Sequence, residues 1–352
     1  MKHICICGGG HLGHVIGGFL AHRDYQVSLL TSSAEKWQKT LQIYTPGGAV
    51  LRGDLFHISQ DPSIVKNADM LLLCLPGYCI ADALRRIKPH LSKQTQVGCV
   101  VGSSGFFFLA HEILGDQNPL FAFQRVPFIA RVKEYGRSAC LLGYKKELAV
   151  ATLHHAAGQA LAETLEEMFA TPVVLLPHFL QTCLTNSNPI LHTSRLYSLF
   201  HRFSSQRPYE KEILFYEDWD LESSLLLVAC DAEFQAVMRA IPAKLSPVPP
   251  LLTYYESQDA AALTNKIRSI QAFQGIKAPM KKQGTDRFVP DFANRYFTED
   301  FCFGLAMLHC IAEILQVPTP HLDMLWAWGG KVIENFDEKR LKISAETFLS
   351  LL

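Results

Sequence analysis

Ile4-Cys5-Ile6-Cys7-Gly8-Gly9-Gly10-His11-Leu12-Gly13 decides how the chain is read. An apolar run of strand character opens directly into Gly8-x-Gly10-x-x-Gly13. A helix pattern follows at once, with Val15, Ile16, Phe19 and Leu20 on one side. In a dinucleotide site the three glycines serve different ends. Gly8 permits the tight turn, Gly10 lets the backbone approach a pyrophosphate, and Gly13 lets helix and strand pack closely. The free N–H groups of the first helical turn, at His11, Leu12 and Gly13, then face the phosphate charge. Glycine-rich turns are common, so the motif counts only in context, and a strand before with a helix after is the context it needs.

Working outward, the next apolar run, Val27-Ser28-Leu29-Leu30, reads as a second strand. A carboxylate at its end would hold the ribose 2′-hydroxyl of NAD. Thr31-Ser32-Ser33-Ala34-Glu35-Lys36 stands there instead. The hydroxyls of Thr31, Ser32 and Ser33 and the Lys36 ammonium suit a 2′-phosphate, which favours NADP(H) over NAD(H). Ser32 or Ser33 also suits the N-cap of a following helix, and Glu35 keeps NAD open. Residues 68–76 read as a buried parallel strand ending in a loop, with the continuous apolar run such strands show, and that loop brings Pro76 and Gly77 towards the dinucleotide. The βα rhythm continues with a helix over 80–91, a strand over 96–101, a loop at Gly102-Ser103-Ser104-Gly105 and a strand over 120–123. Strand-like pieces recur over 126–150, with Arg131 and Arg137 as surface charges or substrate contacts. A long helix is predicted over 147–169 and a closing strand over 172–176.

From Pro177 onward helical patterns take over, around 179–184, 189–203, 219–240, 260–273, 298–315 and 321–332. Residues 243–250 and 273–289 read as loops. The fold class is therefore α/β, a Rossmann-type doubly wound sheet over 1–176 followed by an all-helical domain over 177–352. Such a plan places a substrate in the cleft between the halves.

The 352 residues are 49% hydrophobic and 19% charged, with 33 Lys+Arg against 33 Asp+Glu. A balanced charge argues against nucleic-acid and membrane-surface partners, which select basic excess. The ten cysteines include no CxxC pair and no metal-ligand spacing, so free thiols in a reducing compartment are expected, and no metal. His154-His155 reads as exposed helix surface. Met1-Lys2-His3 leads straight into the first strand, leaving no room for a signal peptide. No apolar run approaches the roughly 18 residues of a membrane span. A cytoplasmic protein is expected.

Two constellations in the second half carry chemistry. In Thr185-Asn186-Ser187-Asn188-Pro189-Ile190-Leu191-His192, Pro189 marks a first helical turn. Asn188 stands ready to cap that helix or to touch substrate, and His192 falls one turn in, as an acid/base or as a histidine satisfied by backbone. In Asn294-Arg295-Tyr296-Phe297-Thr298-Glu299-Asp300-Phe301, Thr298 reads as an N-cap with Glu299 and Asp300 in the first turn. Arg295 offers a planar fork to a carboxylate.

These pieces together resemble the octopine/nopaline (opine) dehydrogenase family. They are the GxGxxG of the first half, Asn188-x-x-x-His192, Arg295-x-x-x-x-Asp300, Gly304-Leu305 and Thr319-Pro320. The resemblance implies an NAD(P)-dependent enzyme in which His192 and Asp300 form the acid/base pair and Arg295 binds the keto-acid carboxylate. It implies reductive condensation of an α-keto acid with an amino acid through an imine. Thr193 departs from a pattern in which proline often follows the histidine. A ketopantoate-reductase-like 2-keto acid reductase is a rival, weakened because no lysine lies between Lys146 and Lys211. A non-catalytic NADP-binding sensor is another. Phe301, Phe303 and Leu325-Trp326-Ala327-Trp328 suit either a homodimer interface or core packing.

Overall fold

The computed structural model describes residues 2–154, 158–284 and 286–352. The chain divides into two compact units, Met1–Cys183 with Lys244–Ser246, and Leu184–Ala243 with Pro247–Leu352. The first unit contains, in order, β1 (His3–Cys7), α1 (His11–His22), β2 (Gln26–Leu30), β3 (Thr40–Tyr44), β4 (Val50–Asp54), β5 (His57–Ser59), β6 (Met70–Leu73) and α2 (Gly77–Ile87). There follow β7 (Gln96–Val100), α3 (Phe106–Leu114), β8 (Leu120–Phe123), β9 (Phe128–Glu134), β10 (Ser138–Tyr144), β11 (Leu148–Thr152), α4 (Gly158–Phe169), β12 (Val173–Leu175) and α5 (Leu180–Cys183).

The main sheet runs β12-β11-β8-β7-β6-β1-β2-β5. It is parallel from β5 to β8, and β11 is antiparallel to β8 through Val150↔Phe123. β6 and β8 are buried at every position, the signature of strands covered on both faces. The neighbours of β1 are β2 on one side and β6 on the other, so the strand order reverses at β1, where doubly wound sheets open their ligand crevice.

The strand-like pieces build something the sequence pattern does not announce, a second sheet ordered β4-β3-β10-β9. This sheet packs on α1, whose other side rests on β1 and β2. Every residue from Gly13 to Leu20 is consequently buried, not one side alone. A Cβ on Gly18 would lie 2.6 Å from Ile43 Cγ1, and one on Gly53 would run into the Gly18 carbonyl. The small residues thus set how closely helix and second sheet approach.

Several expectations are corrected. The helix predicted over 147–169 is two elements: Leu148–Thr152 joins the sheet as β11, and α4 begins at Gly158. The alanine-rich run carries no helix signal strong enough to resist pairing with β8 and β12. His154 is exposed in a bend and 4.0 Å from Asp116, not on a helix, and His155 lies outside the described residues. Ser32 and Ser33 cap no helix, since a single 3₁₀ turn, Ala34–Lys36, follows without a side-chain cap. The chain passes to the second unit after Cys183, later than Pro177. α5 packs with the first unit, where Gln124 Nε2 donates to the Gln181 carbonyl at 2.8 Å and Phe179 meets Phe107 with ring centroids 5.1 Å apart.

The second unit comprises α6 (Asn188–Phe200), α7 (Leu221–Ala240), α8 (Leu251–Tyr254), α9 (Ala260–Ser269), β13 (Met280–Lys282), β14 (Phe288–Pro290), α10 (Arg295–Thr298), α11 (Ala306–Ile314), α12 (Pro320–Val332), α13 (Phe336–Lys339) and α14 (Ala345–Ser350). The stretch read as a loop over 273–289 contains all but the last residue of an antiparallel hairpin, Met280↔Pro290. Phe301, Phe303, Leu325 and Trp328 are buried core of this unit, while Trp326 is half-buried and Ala327 exposed. Gly329 leaves the space that Phe301 fills, since a Cβ there would lie 2.6 Å from its ring. Among the described residues no helix is long and apolar enough to cross a membrane.

His14 ties the first helix to the second sheet. Its Nδ1 lies 2.9 Å from the Gly10 carbonyl, and its Nε2 accepts the Gly136 N–H at 2.7 Å. That pairing requires the neutral tautomer with the proton on Nδ1. Full burial, the largest influence, pushes the imidazole below the ordinary histidine value; the Gly10 hydrogen bond opposes this, and His11 adds to it. The unfolded chain therefore takes up the proton first as pH falls. The stabilisation from neutral His14 is complete above the unfolded pKa of about 6.5 and is lost as pH drops towards the depressed folded value. The urea midpoint should accordingly fall more between pH 7.5 and 5.5 in the parent than in His14→Gln; equal falls would refute the linkage.

Candidate active site

At the carboxyl end of β1 the three motif glycines are in different situations. Gly8 adopts φ +122°, and a Cβ there would run into the Cys74 carbonyl. A Cβ on Gly13 would collide with the Gly8 carbonyl. At Gly10 a Cβ would meet nothing within 4 Å, so open space lies beside the backbone at the start of α1. Gly10 offers no side-chain cap to the first turn of α1. Such a cradle fits a pyrophosphate. His11 is exposed and its Nδ1 accepts the Val132 N–H at 3.0 Å, while Leu12 packs against the core. Gly9, outside the motif, is equally constrained: a Cβ would lie 2.6 Å from Thr31 Oγ1 and 2.9 Å from the Tyr135 hydroxyl.

Around this cradle Thr31 is buried, Ser33 half-buried, and Ser32 and Lys36 exposed. Glu35 accepts from Gln60 Nε2 at 3.0 Å. Pro76 is exposed at the start of α2. Arg137 is paired with Glu134 at 2.6 Å and Arg131 donates to the Ala130 carbonyl at 3.0 Å, so both guanidinium groups serve their own hairpin.

In the second unit, α6 opens with Pro189 in its first turn and Ser187, not Asn188, at the cap position. Asn188 is exposed one turn before His192. The neighbouring Asn186 is structural, donating to Asp231 at 2.9 Å and the Pro249 carbonyl at 2.8 Å. Thr193 turns its hydroxyl onto the Pro189 carbonyl at 2.6 Å.

Asp300 reaches His192 by a route other than the expected one. Asn294, not Thr298, caps α10, accepting the Tyr296 N–H at 3.1 Å. Arg295 is then the first helical residue and exposed. Asp300 begins a π-helical turn, Asp300–Leu305, in which the Gly304 N–H reaches back to the Glu299 carbonyl at 3.3 Å. Such turns are rare and concentrate at functional sites. Gly304 allows this turn to lie against α6, since a Cβ would sit 2.9 Å from Pro189 Cγ.

The result is a short hydrogen-bonded chain. His192 Nδ1 lies 2.8 Å from Asp300 Oδ2, and Nε2 lies 2.9 Å from the Tyr216 hydroxyl. The His192 and Asp300 side chains are 10% and 14% exposed, enough to reach a ligand but shielded from bulk water. Tyr296 meets the His192 ring edge-on with centroids 4.7 Å apart. Burial chiefly, then the Asp300 charge, raises the Tyr296 phenol, with Arg295 opposing. Sequence reading missed Tyr216 and Tyr296, because tyrosines in the aromatic runs Phe215-Tyr216 and Tyr296-Phe297 look like any core residue.

Residues 175–333 match the model of the NAD/NADP octopine/nopaline dehydrogenase alpha-helical domain, and residues 4–104 match that of ketopantoate reductase PanE/ApbA. Over 93% of each chain the protein is 32% identical to the uncharacterized protein y4xO of Sinorhizobium fredii. It is 29% identical to the octopine dehydrogenase of Mizuhopecten yessoensis, covering 94% of this chain and 90% of that one. Among solved structures, an octopine dehydrogenase with NADH and L-arginine superposes with a TM-score of 0.84 at 27% identity, covering 94% of this chain and 89% of that chain.

The chain belongs to the octopine/nopaline dehydrogenase family. It is an NAD(P)-dependent oxidoreductase of the opine dehydrogenase type, acting on CH–NH. In this opine dehydrogenase homologue His192 and Asp300 are in direct contact.

Proposed function

We propose that this enzyme reductively condenses an α-keto acid with the amine of an amino acid, through an imine, to give a secondary-amine dicarboxylic acid. The observation that carries the reading is the 2.8 Å contact between His192 and Asp300 in a nearly dry setting. Relatives of this chain have been solved with NADH and L-arginine and with NADH and pyruvate, which supports a keto acid and an amine as the substrate classes. The bound dinucleotide supplies the hydride.

The chain's own residues do the rest. His192 is the source and sink of the proton that the reacting nitrogen gains or loses. Asp300 fixes the tautomer with the proton on Nδ1 and stabilises the imidazolium, as the aspartate does in catalytic triads. Arg295, exposed at the start of α10, presents its planar fork to the keto-acid carboxylate. Asn188, one turn before His192 and exposed, offers an amide to the same substrate.

For the cofactor we propose NADP(H) over NAD(H). Thr31, Ser32 and Ser33 place hydroxyls at the end of β2, and Lys36 adds an exposed ammonium. The Glu35 carboxylate, the natural partner of a ribose 2′-hydroxyl, is engaged by Gln60.

The decisive assay follows NADPH and NADH absorbance with pyruvate, with and without a panel of amino acids. Oxidation should require the amine; amine-independent turnover would refute the condensation. His192→Ala should lower kcat by roughly 10²–10⁴ with dinucleotide Kd unchanged. Arg295→Ala should mainly raise the keto-acid KM, and an unchanged KM would remove its carboxylate role. Lys36→Ala should shift the NADPH/NADH ratio of kcat/KM towards NADH by about tenfold, the worth of one charge-assisted hydrogen bond.

A further inference from the structure

Both ring nitrogens of His192 are already occupied by the protein, Nδ1 by Asp300 and Nε2 by Tyr216. An ionised carboxylate only accepts, so the neutral imidazole keeps its proton on Nδ1 and the Tyr216 O–H donates to Nε2. A proton from His192 can reach a substrate only through that hydroxyl, or after the hydroxyl has been moved away. We propose that Tyr216 is the catalytic residue that exchanges the proton with the substrate nitrogen, and that His192 restores it through Nε2. The proposal rests on the reductive reading above.

What separates a relay from a removable blocker is how Tyr216 is held. Arg195 lies one turn beyond His192 on α6 and is fully buried. Its Nε donates to the Phe215 carbonyl at 3.0 Å and its Nη2 to the Asp218 carbonyl at 2.5 Å. Its Nη1 donates to Asp220 and to Ser223, each at 2.9 Å. A buried guanidinium stripped of its acceptors is an uncompensated charge in a dry interior, a larger loss than a cation–π contact like that with Trp219, 5.3 Å away, returns. The hydrogen bonds therefore dominate, and the turn bearing Tyr216 cannot withdraw without stranding Arg195. The Tyr216 ring is also stacked on Phe273, with centroids 4.1 Å apart and planes at 17°. Withdrawing the turn would strand Arg195 and swinging the ring aside would break its stacking on Phe273, while a relay needs only rotation of one O–H.

Burial first, then Tyr296, Tyr255 and Asp300, pushes the phenol well above the ordinary tyrosine value, so it rests protonated at neutral pH and gives up its proton only as His192 replaces it. In the reductive direction the step starts from the imidazolium, whose Nε2–H donates to the Tyr216 oxygen. The tyrosine proton passes to the imine nitrogen, and the C=N π pair becomes the new N–H bond as the carbon takes the cofactor's hydride. The Nε2 proton moves to the tyrosine oxygen in the same event. Tyrosine is restored, and neutral His192 is left with its Nδ1–H on Asp300.

Tyr216→Phe keeps the ring and its stacking and removes only the hydroxyl. Single-turnover reduction should slow by about 100-fold or more, with dinucleotide Kd, keto-acid KM and Tm unchanged. A rate that is retained or increased would show that the hydroxyl merely blocks Nε2 and would overturn the relay. The parent enzyme gives a second measurement that does not depend on the variant folding. Two protons in flight should make the single-turnover rate curve downwards against deuterium fraction in mixed H₂O/D₂O, and a straight line would overturn the relay. An active His192→Ala would instead refute the proposed function; an inactive His192→Ala with an active Tyr216→Phe would refute the relay alone.

Discussion

The carbonyl of Gly8 lies where a side chain on Gly13 would have to be. That steric exclusion fixes the angle at which α1 leaves β1, and much of the first unit follows from it. The helix is held close enough to the sheet that Ile6 lies against Gly17, and its far side is left to a second sheet that approaches through Gly18 and Gly53. A helix covered on both sides must be apolar all round, and Gly13 to Leu20 are buried without exception. His14 is the one polar side chain in that run, tolerated because both its ring nitrogens find backbone partners. One end of this tightly packed rod, the start of α1 at Gly10, is left without a side-chain cap and with space beside its backbone.

The second unit solves the opposite problem, because its site is made of buried side chains rather than exposed backbone. A histidine, a carboxylate, a phenol and a guanidinium are brought into a largely dry interior, where each must be paired to be tolerated. The π turn places Asp300 against α6, and its distortion is compensated where the Leu341 N–H takes up the Cys302 carbonyl at 2.7 Å. Arg195 is satisfied by two carbonyls, a carboxylate and a hydroxyl from the 215–223 segment. Each group fixes the next, and the orientation of His192 is set from both ring nitrogens.

The parts legible in the sequence are those whose physics is local. The glycine motif declares itself because tight turns and close approaches exclude side chains at fixed spacing, and the alternation of buried strands and helices gives the parallel sheet. The order of Asn188, Pro189 and His192 marks a helix start in the same way. What the sequence does not display is set by tertiary partners. Leu148–Thr152 becomes a strand because β8 and β12 are there to pair with it. Phe301 is core because Gly329 leaves room for its ring. The π turn at Asp300 has no compositional mark, and reading Thr298 as a cap places the carboxylate in the right chain segment by the wrong local structure. Tyr216 is invisible for the same reason: its importance comes from one contact across 24 residues of chain.

Thr193 shows how a departure from a family pattern can be absorbed locally. A proline at that position would lack an N–H and press on the carbonyl four residues earlier, loosening the helix where His192 is carried. Threonine keeps the N–H and adds a hydroxyl that turns back on that same carbonyl, Pro189, at 2.6 Å. The first turn of α6 is thereby tightened rather than opened. Pro189 is also the residue against which Gly304 packs, so the same turn that carries His192 forms the floor beneath the Asp300 segment. Thr193, through the Pro189 carbonyl, and Gly304, through the Pro189 ring, thus meet on one residue that joins the histidine's helix to the aspartate's turn.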